Sequence, residues 1–131
     1  MISPKELKEF KLLARKSGID LSIIYGSAVT GKPGPEPDID IAVRLKKYNN
    51  RRAYKLFSDI HRIIKSGEVD LVFINRIDPL LQMEIARKGV PIYEASFNLF
   101  RLYQVYATKM YNDAQRFFQA DKAVIKAFLK H

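Results

Sequence analysis

The chain has 131 residues, 47% of them hydrophobic, which suffices for one ordinary core and argues against several domains. It has no cysteine and only two histidines, His61 and His131, which excludes disulfides and thiolate zinc sites and leaves oxygen donors as the expected ligands for any metal. The formal charge is +9, and positions 44–65 hold eight Lys or Arg against one acid, Asp59. Such a surplus suits RNA, DNA, a triphosphate or an acidic protein surface, and equally suits a solvated helix face.

In chain order, Ser3-Pro4-Lys5-Glu6 combines an N-cap, proline at the first helical position and glutamate three residues after the cap. Leu7, Phe10, Leu13 and Ala14 follow at helical spacing as far as Gly18, which predicts the first helix. The charges at Lys5, Glu6, Lys8, Glu9 and Lys11 leave no apolar core for a signal peptide, and no stretch approaches the roughly 20 apolar residues of a membrane span. A cytoplasmic location is expected. Leu21, Ile23, Ile24 and Tyr25 predict a short strand that stops at a Gly26-Ser27 turn, with Tyr25 an ordinary apolar member of it. Residues 31–37 are too rich in glycine and proline for regular structure and read as a loop.

From Asp38 the sequence alternates, with Ile39, Ile41, Val43 and Leu45 on one face and Asp38, Asp40 and Ala42 on the other, which predicts a second strand. Residues 50–65 carry Ala53, Leu56, Phe57, Ile60, Ile63 and Ile64 at helical spacing, with Gly67 as the closing residue and His61 on the helix surface. Residues 69–74 form a third strand with Asp70 its one interior charge, Asp78-Pro79 caps a helix running to Gly89, and residues 90–94 form a short fourth strand. Ser96 opens the last segment, one long helix or two, whose aromatics Tyr103, Tyr106, Tyr111, Phe117 and Phe118 read first as core packing and second as a partner interface. The expected fold is α/β (α+β), a small mixed β-sheet flanked by helices. It forms a single domain over 1–131, with a C-terminal helical segment at about 96–131.

Three features of this layout carry chemistry. Residues two apart on a strand project to one side, so Asp38 and Asp40 offer carboxylates with Cα atoms roughly 7 Å apart. If the third strand lies beside the second, Asp70 joins them, and a hard cation such as Mg²⁺ offsets the repulsion of three carboxylates. Gly26 permits the torsions of a phosphate-contacting turn, and the Ser27 hydroxyl can donate to anionic oxygens. Singly, these features have plainer readings: an ordinary turn, a turn cap, a charge that discourages edge pairing. Jointly they equip a protein to handle a metal-bound nucleoside triphosphate, with Asp38 and Asp40 as metal ligands and Asp70 as third ligand or general base.

Gly26-Ser27, ten intervening residues, Asp38-Ile39-Asp40 and the later Asp70 resemble the signature of the minimal nucleotidyltransferase (MNT) antitoxins, within the polymerase-β-like nucleotidyltransferases. The order of elements, the stretch from Glu84 to Tyr93 with its Gly89-Val90-Pro91-Ile92-Tyr93 turn and a closing helix from Phe97 onward are similar too. The resemblance implies a polymerase-β-like fold, ATP as substrate with Mg²⁺, and a HEPN-domain toxin, a helical ribonuclease, as partner. It further implies that AMP is added to a tyrosine of that toxin, silencing it. By position, Gly26 and Ser27 would contact phosphate, Asp38 and Asp40 would bind metal, and Asp70 would be the third catalytic carboxylate. Arg44, Arg51 and Arg52 are left between nucleotide phosphate and partner surface. Two other functions are open: a non-catalytic antitoxin that neutralises its partner by binding, and nucleotide transfer to an RNA end, which the absence of an aromatic-basic RNA motif disfavours.

Overall fold

The computed structural model describes residues 2–26 and 38–130, so Ser27 and the predicted loop at 31–37 lie outside the described residues. Helix α1 (Pro4–Ser17) opens with the full capping box: the Glu6 amide donates to Ser3 Oγ and the Ser3 amide to Glu6 Oε1. It closes at Gly18 in the left-handed region, φ 75°. Strand β1 (Ile19–Tyr25) begins two residues earlier than the apolar run alone suggests, and β2 spans Asp38–Leu45 as the alternation predicts.

Helix α2 (Asn50–Ile63) starts from an Asn49 cap and stops short of the predicted Gly67. The buried Ile64 turns extended to reach the core, and the amides of Lys65 and Ser66 donate instead to Glu6 Oε2 at 2.6 and 3.1 Å. One carboxylate thus caps α1 and holds the chain leaving α2. Strand β3 (Glu68–Phe73) leads through a 3-10 turn (Ile74–Arg76) to α3 (Pro79–Lys88), β4 (Val90–Glu94) and α4 (Leu99–Leu129). The last helix is continuous and begins at Leu99, after Asn98 in the left-handed region, rather than at Ser96. His61 does more than decorate the helix surface, since its ring nitrogens meet the carbonyls of Phe57 and Val69 and tie α2 to β3.

The sheet order is β3-β2-β1-β4, with β2 parallel to β3 and β1 antiparallel to both β2 and β4. It is therefore the small mixed sheet expected. On one face Ile39, Ile41 and Val43 pack with Phe10 and Ala14 of α1 and Leu56 and Ile60 of α2. On the other, Leu21, Ile23 and Ala42 pack with Ile85 and Ala86 of α3 and Tyr103 and Ala107 of α4. At one end of β2 the Asn75 amide pairs with both the N–H and the carbonyl of Leu45, extending the sheet with a side chain. Among the described residues no helix is long and apolar enough to cross a membrane.

Candidate functional site

The alternation of β2 directs Asp38, Asp40, Ala42 and Arg44 to the α3/α4 face. Pairing then decides what they meet. Asp40 lies opposite Tyr25 on β1 and opposite Asp70 on the parallel strand β3. Tyr25, Asp40 and Asp70 thus form a row across three strands, and in a sheet such direct neighbours share a face. One pair further out, Asp38 lies opposite Glu68. The structure brings Asp40 and Asp70 together as predicted, with Asp38 beside them at the exposed start of β2.

Gly26 turns the chain directly above this row. Its φ of 76° lies in the left-handed region, and a Cβ built there would overlap Asp40 Oδ2. Glycine is required twice over, for torsion and for space. The Asp40 carboxylate accordingly sits in the angle of the β1 turn, with Ser27, the predicted phosphate contact, next in the chain and outside the described residues.

The electrostatics are those of crowded anions. Burial raises the Asp40 carboxyl above its usual range, and Asp70, Asp38 and Glu84 push it further in the same direction. Burial first, then Asp40, Asp70 and Glu84, lifts the Tyr25 hydroxyl to about 12, so it stays protonated and able to donate beside the carboxylates. Tyr25 looks like one more apolar strand residue and Glu84 like a surface position of α3, so neither stands out by residue type as part of this group. The crowding follows from the parallel register of β2 and β3, which also brings Glu68 opposite Asp38.

A divalent cation fits this donor set chemically. Oxygen donors at matched register on parallel strands, one of them destabilised as an anion by its neighbours, suit a hard ion that takes one or two carboxylates and completes its shell from phosphate and water. Among the described residues no three acid or histidine side chains stand close enough to form a ready-made cage. The side chains that could hold such an ion are those of Asp38, Asp40 and Asp70.

The basic residues divide by face. Arg44 shares the carboxylate face but lies four residues along β2, roughly 13 Å from Asp40 at strand rise, and pairs with Asp20 through Nε at 2.9 Å. Arg51 and Arg52 belong to α2, on the opposite side of the sheet. The sheet therefore separates them from the carboxylate row. Arg52 lines a groove of about 520 Å³ between α1 and α2 with Lys16 and Lys55.

A mixed sheet that presents paired carboxylates beside a glycine turn is an α/β arrangement that could receive a metal-bound phosphate. The chain belongs to the polymerase β nucleotidyltransferase family, whose model matches residues 7–98. Solved structures extend the fold likeness over nearly the whole chain. A chain of a toxin–antitoxin complex with AMP-PNP is 22% identical with a TM-score of 0.73, covering 92% of this chain and 98% of that one. A complex of MNT antitoxin with tri-AMPylated HEPN toxin from Shewanella oneidensis contains a chain 21% identical, TM-score 0.68, covering 92% and 96%. A chain of the MntA–HepT toxin–antitoxin is 20% identical, TM-score 0.67, covering 92% and 97%. A comparison with curated protein sequences gave no match.

Proposed function

We propose that this protein is a single minimal nucleotidyltransferase domain and the antitoxin of a HEPN toxin, using ATP and Mg²⁺ to transfer AMP to a tyrosine hydroxyl of that toxin. The observation that carries the reading is the Tyr25–Asp40–Asp70 row beneath Gly26, within a chain of the polymerase β nucleotidyltransferase family. The AMP-PNP complex and the AMPylated toxin among structures of the same fold support the nucleotide and the acceptor.

Asp38 and Asp40 would hold the metal, with Asp70 as third ligand or as the base that takes the acceptor proton. A bound magnesium ion would supply charge stabilisation to the attacking oxygen and the departing pyrophosphate. The chain's own residues orient the reaction. Asp70 faces Asp40 across one strand spacing, close enough to serve metal and acceptor together. Gly26 keeps the space above Asp40 clear of side chain, and the Gly26-Ser27 pair would receive phosphate oxygens. Tyr25, protonated, can donate a hydrogen bond within the anionic row. Transfer breaks the bond between the α-phosphorus and the bridging oxygen, forms one from the tyrosine oxygen, and releases pyrophosphate.

A second reading, neutralisation by binding alone, has its own observation: the last helix exposes a long apolar stripe instead of burying it. The experiment that separates the two incubates the HEPN toxin with ATP, Mg²⁺ and either wild-type chain or Asp38→Asn/Asp40→Asn. Transfer is expected only with wild type. Toxin neutralised equally by the double variant without nucleotide favours binding.

A further inference from the structure

The basic surplus of the chain is concentrated behind the sheet, away from the carboxylates. Positions 46–55 hold five cations, Lys46, Lys47, Arg51, Arg52 and Lys55, with no acid among them. Folding gathers these and adds Lys16. The Lys46 amide donates to the Gly18 carbonyl at 2.9 Å, which ties the connection between β2 and α2 to the end of α1. Arg52 Nη1 donates to the Lys47 carbonyl at 3.1 Å. Lys16, Arg52 and Lys55 line the groove of about 520 Å³ between α1 and α2. All six side chains are exposed.

Two observations set this cluster apart from an ordinary solvated helix face. First, its charges are not neutralised within the described residues. The ion pairs there are Arg44 with Asp20 and Arg62 with Asp59, so none of the six cations has a carboxylate partner among them. The acids of the flanking elements are engaged or set apart. Asp59, which reaches the groove, is held by Arg62; Glu6 is held by the amides of Ser3, Lys65 and Ser66; and Glu9 stands two turns of α1 before Lys16, roughly 10 Å along the axis. Second, the helix dipole opposes part of the cluster. Lys16 is in the last turn of α1, where a cation is favoured. Arg51 and Arg52 instead occupy the first turn of α2, which contains no acid, the reverse of an arrangement worth roughly 0.3–1 kcal/mol per charge. Like charges collected at a helix start are a cost that a bound polyanion offsets.

We propose that this face, made by the end of α1, the connection from β2 to α2 and the first two turns of α2, binds the phosphodiester backbone of a nucleic acid. Unpaired Lys and Arg along a groove make contacts with successive phosphates that position a strand without reading its bases. A protein is a poorer occupant. Protein interfaces are depleted in lysine and centred on apolar anchors, whereas four of these six cations are lysines and the groove's Leu56 is buried. Nor is the toxin suited to it, since a tyrosine delivered to the Asp40–Asp70 row approaches the α3/α4 face, and the sheet stands between. Nucleic-acid binding here thus goes beyond the transfer reading and does not depend on it.

The test uses the full chain and fluorescence anisotropy with labelled single-stranded RNA, single-stranded DNA and duplex DNA of one mixed sequence. Wild type is expected to bind, with affinity falling on the order of a hundredfold or more between about 50 and 200 mM salt, as five or six phosphate contacts imply. Arg51→Glu/Arg52→Glu/Lys55→Glu should weaken binding by at least about tenfold and flatten the salt slope by about 2–3. Lys46→Gln/Lys47→Gln, which leaves every helix untouched, should weaken it by about threefold or more. Lys122→Glu/Lys126→Glu/Lys130→Glu makes the same change of net charge at the exposed end of α4 and should stay within about threefold of wild type. Circular dichroism and urea unfolding should show all variants folded. Preference for RNA or for DNA names the ligand, and equal binding assigns the shared backbone. No binding of any of the three by wild type at the lower salt overturns the proposal, as does an equal loss in the α4 variant, which would make net charge the cause. A face that binds no nucleic acid, but whose charge reversal releases the HEPN toxin, overturns it in favour of an acidic protein surface. Failure of the transfer reading shows separately, as no AMP added to the toxin by wild type, and leaves these binding results standing.

Discussion

Asp40 is the residue around which the site is arranged, and its surroundings make separable demands. Above it, Gly26 must have no side chain. Gly26→Ala combines the cost of a left-handed residue, about 1–2 kcal/mol, with displacement of the Asp40 carboxylate. Since small misplacements in active sites cost on the order of a hundredfold, transfer should fall about that far while the unfolding midpoint moves only modestly, measured by initial rates and urea unfolding. Beside it, Tyr25 titrates at about 12, with burial as the larger cause and the carboxylates as the smaller. Asp40→Asn should therefore lower that pKa only part of the way to 10, read by NMR of labelled tyrosine; a full return would make charge the dominant cause. Gly26 and Asp40 were legible in the sequence only jointly, through a glycine turn, an alternating Asp-x-Asp strand and the later Asp70 in one layout. Tyr25 was not, since a tyrosine ending an apolar run looks the same whether it meets Leu or Asp.

Among the elements, α1 and α2 are joined by Glu6, whose carboxylate accepts from the amides of Ser3, Lys65 and Ser66 and is held down at about 2, mainly by the backbone bond from Lys65. A depressed folded-state pKa means the stabilisation is complete above the unfolded value of 4.5 and is lost as pH falls from there toward 2. Glu6→Gln should thus narrow its stability deficit against wild type between pH 5 and about pH 2, measured by urea unfolding across that range. The capping box made the start of α1 readable from Ser3, Pro4 and Glu6. The end of α2 was not, because glycine at 67 is a local signal whereas Ile64 and Glu6 end the helix through contacts across the fold. Helical periodicity likewise located α4 but could not tell a buried stripe from an exposed one, which have the same spacing.

For the whole molecule, these observations separate a compact domain from a projecting helix. Beyond Ala114 the described side chains of α4 are exposed, so ending the chain there removes no buried contact. That truncation should leave unfolding free energy within about 1 kcal/mol of wild type, measured by urea unfolding. The α/β layout and the two-faced sheet were readable from alternation and helix periodicity. The pairing of Asp40 with Asp70 was readable only on the assumption that β3 lies beside β2, because parallel register is set by contacts distant in sequence. The measurement that bears most directly on the proposed activity is the intact mass of the HEPN toxin after incubation with ATP, Mg²⁺ and this protein. AMP-sized additions on a toxin tyrosine with wild type, absent with Asp38→Asn/Asp40→Asn, are expected; undiminished additions with that variant, or none with wild type, contradict it.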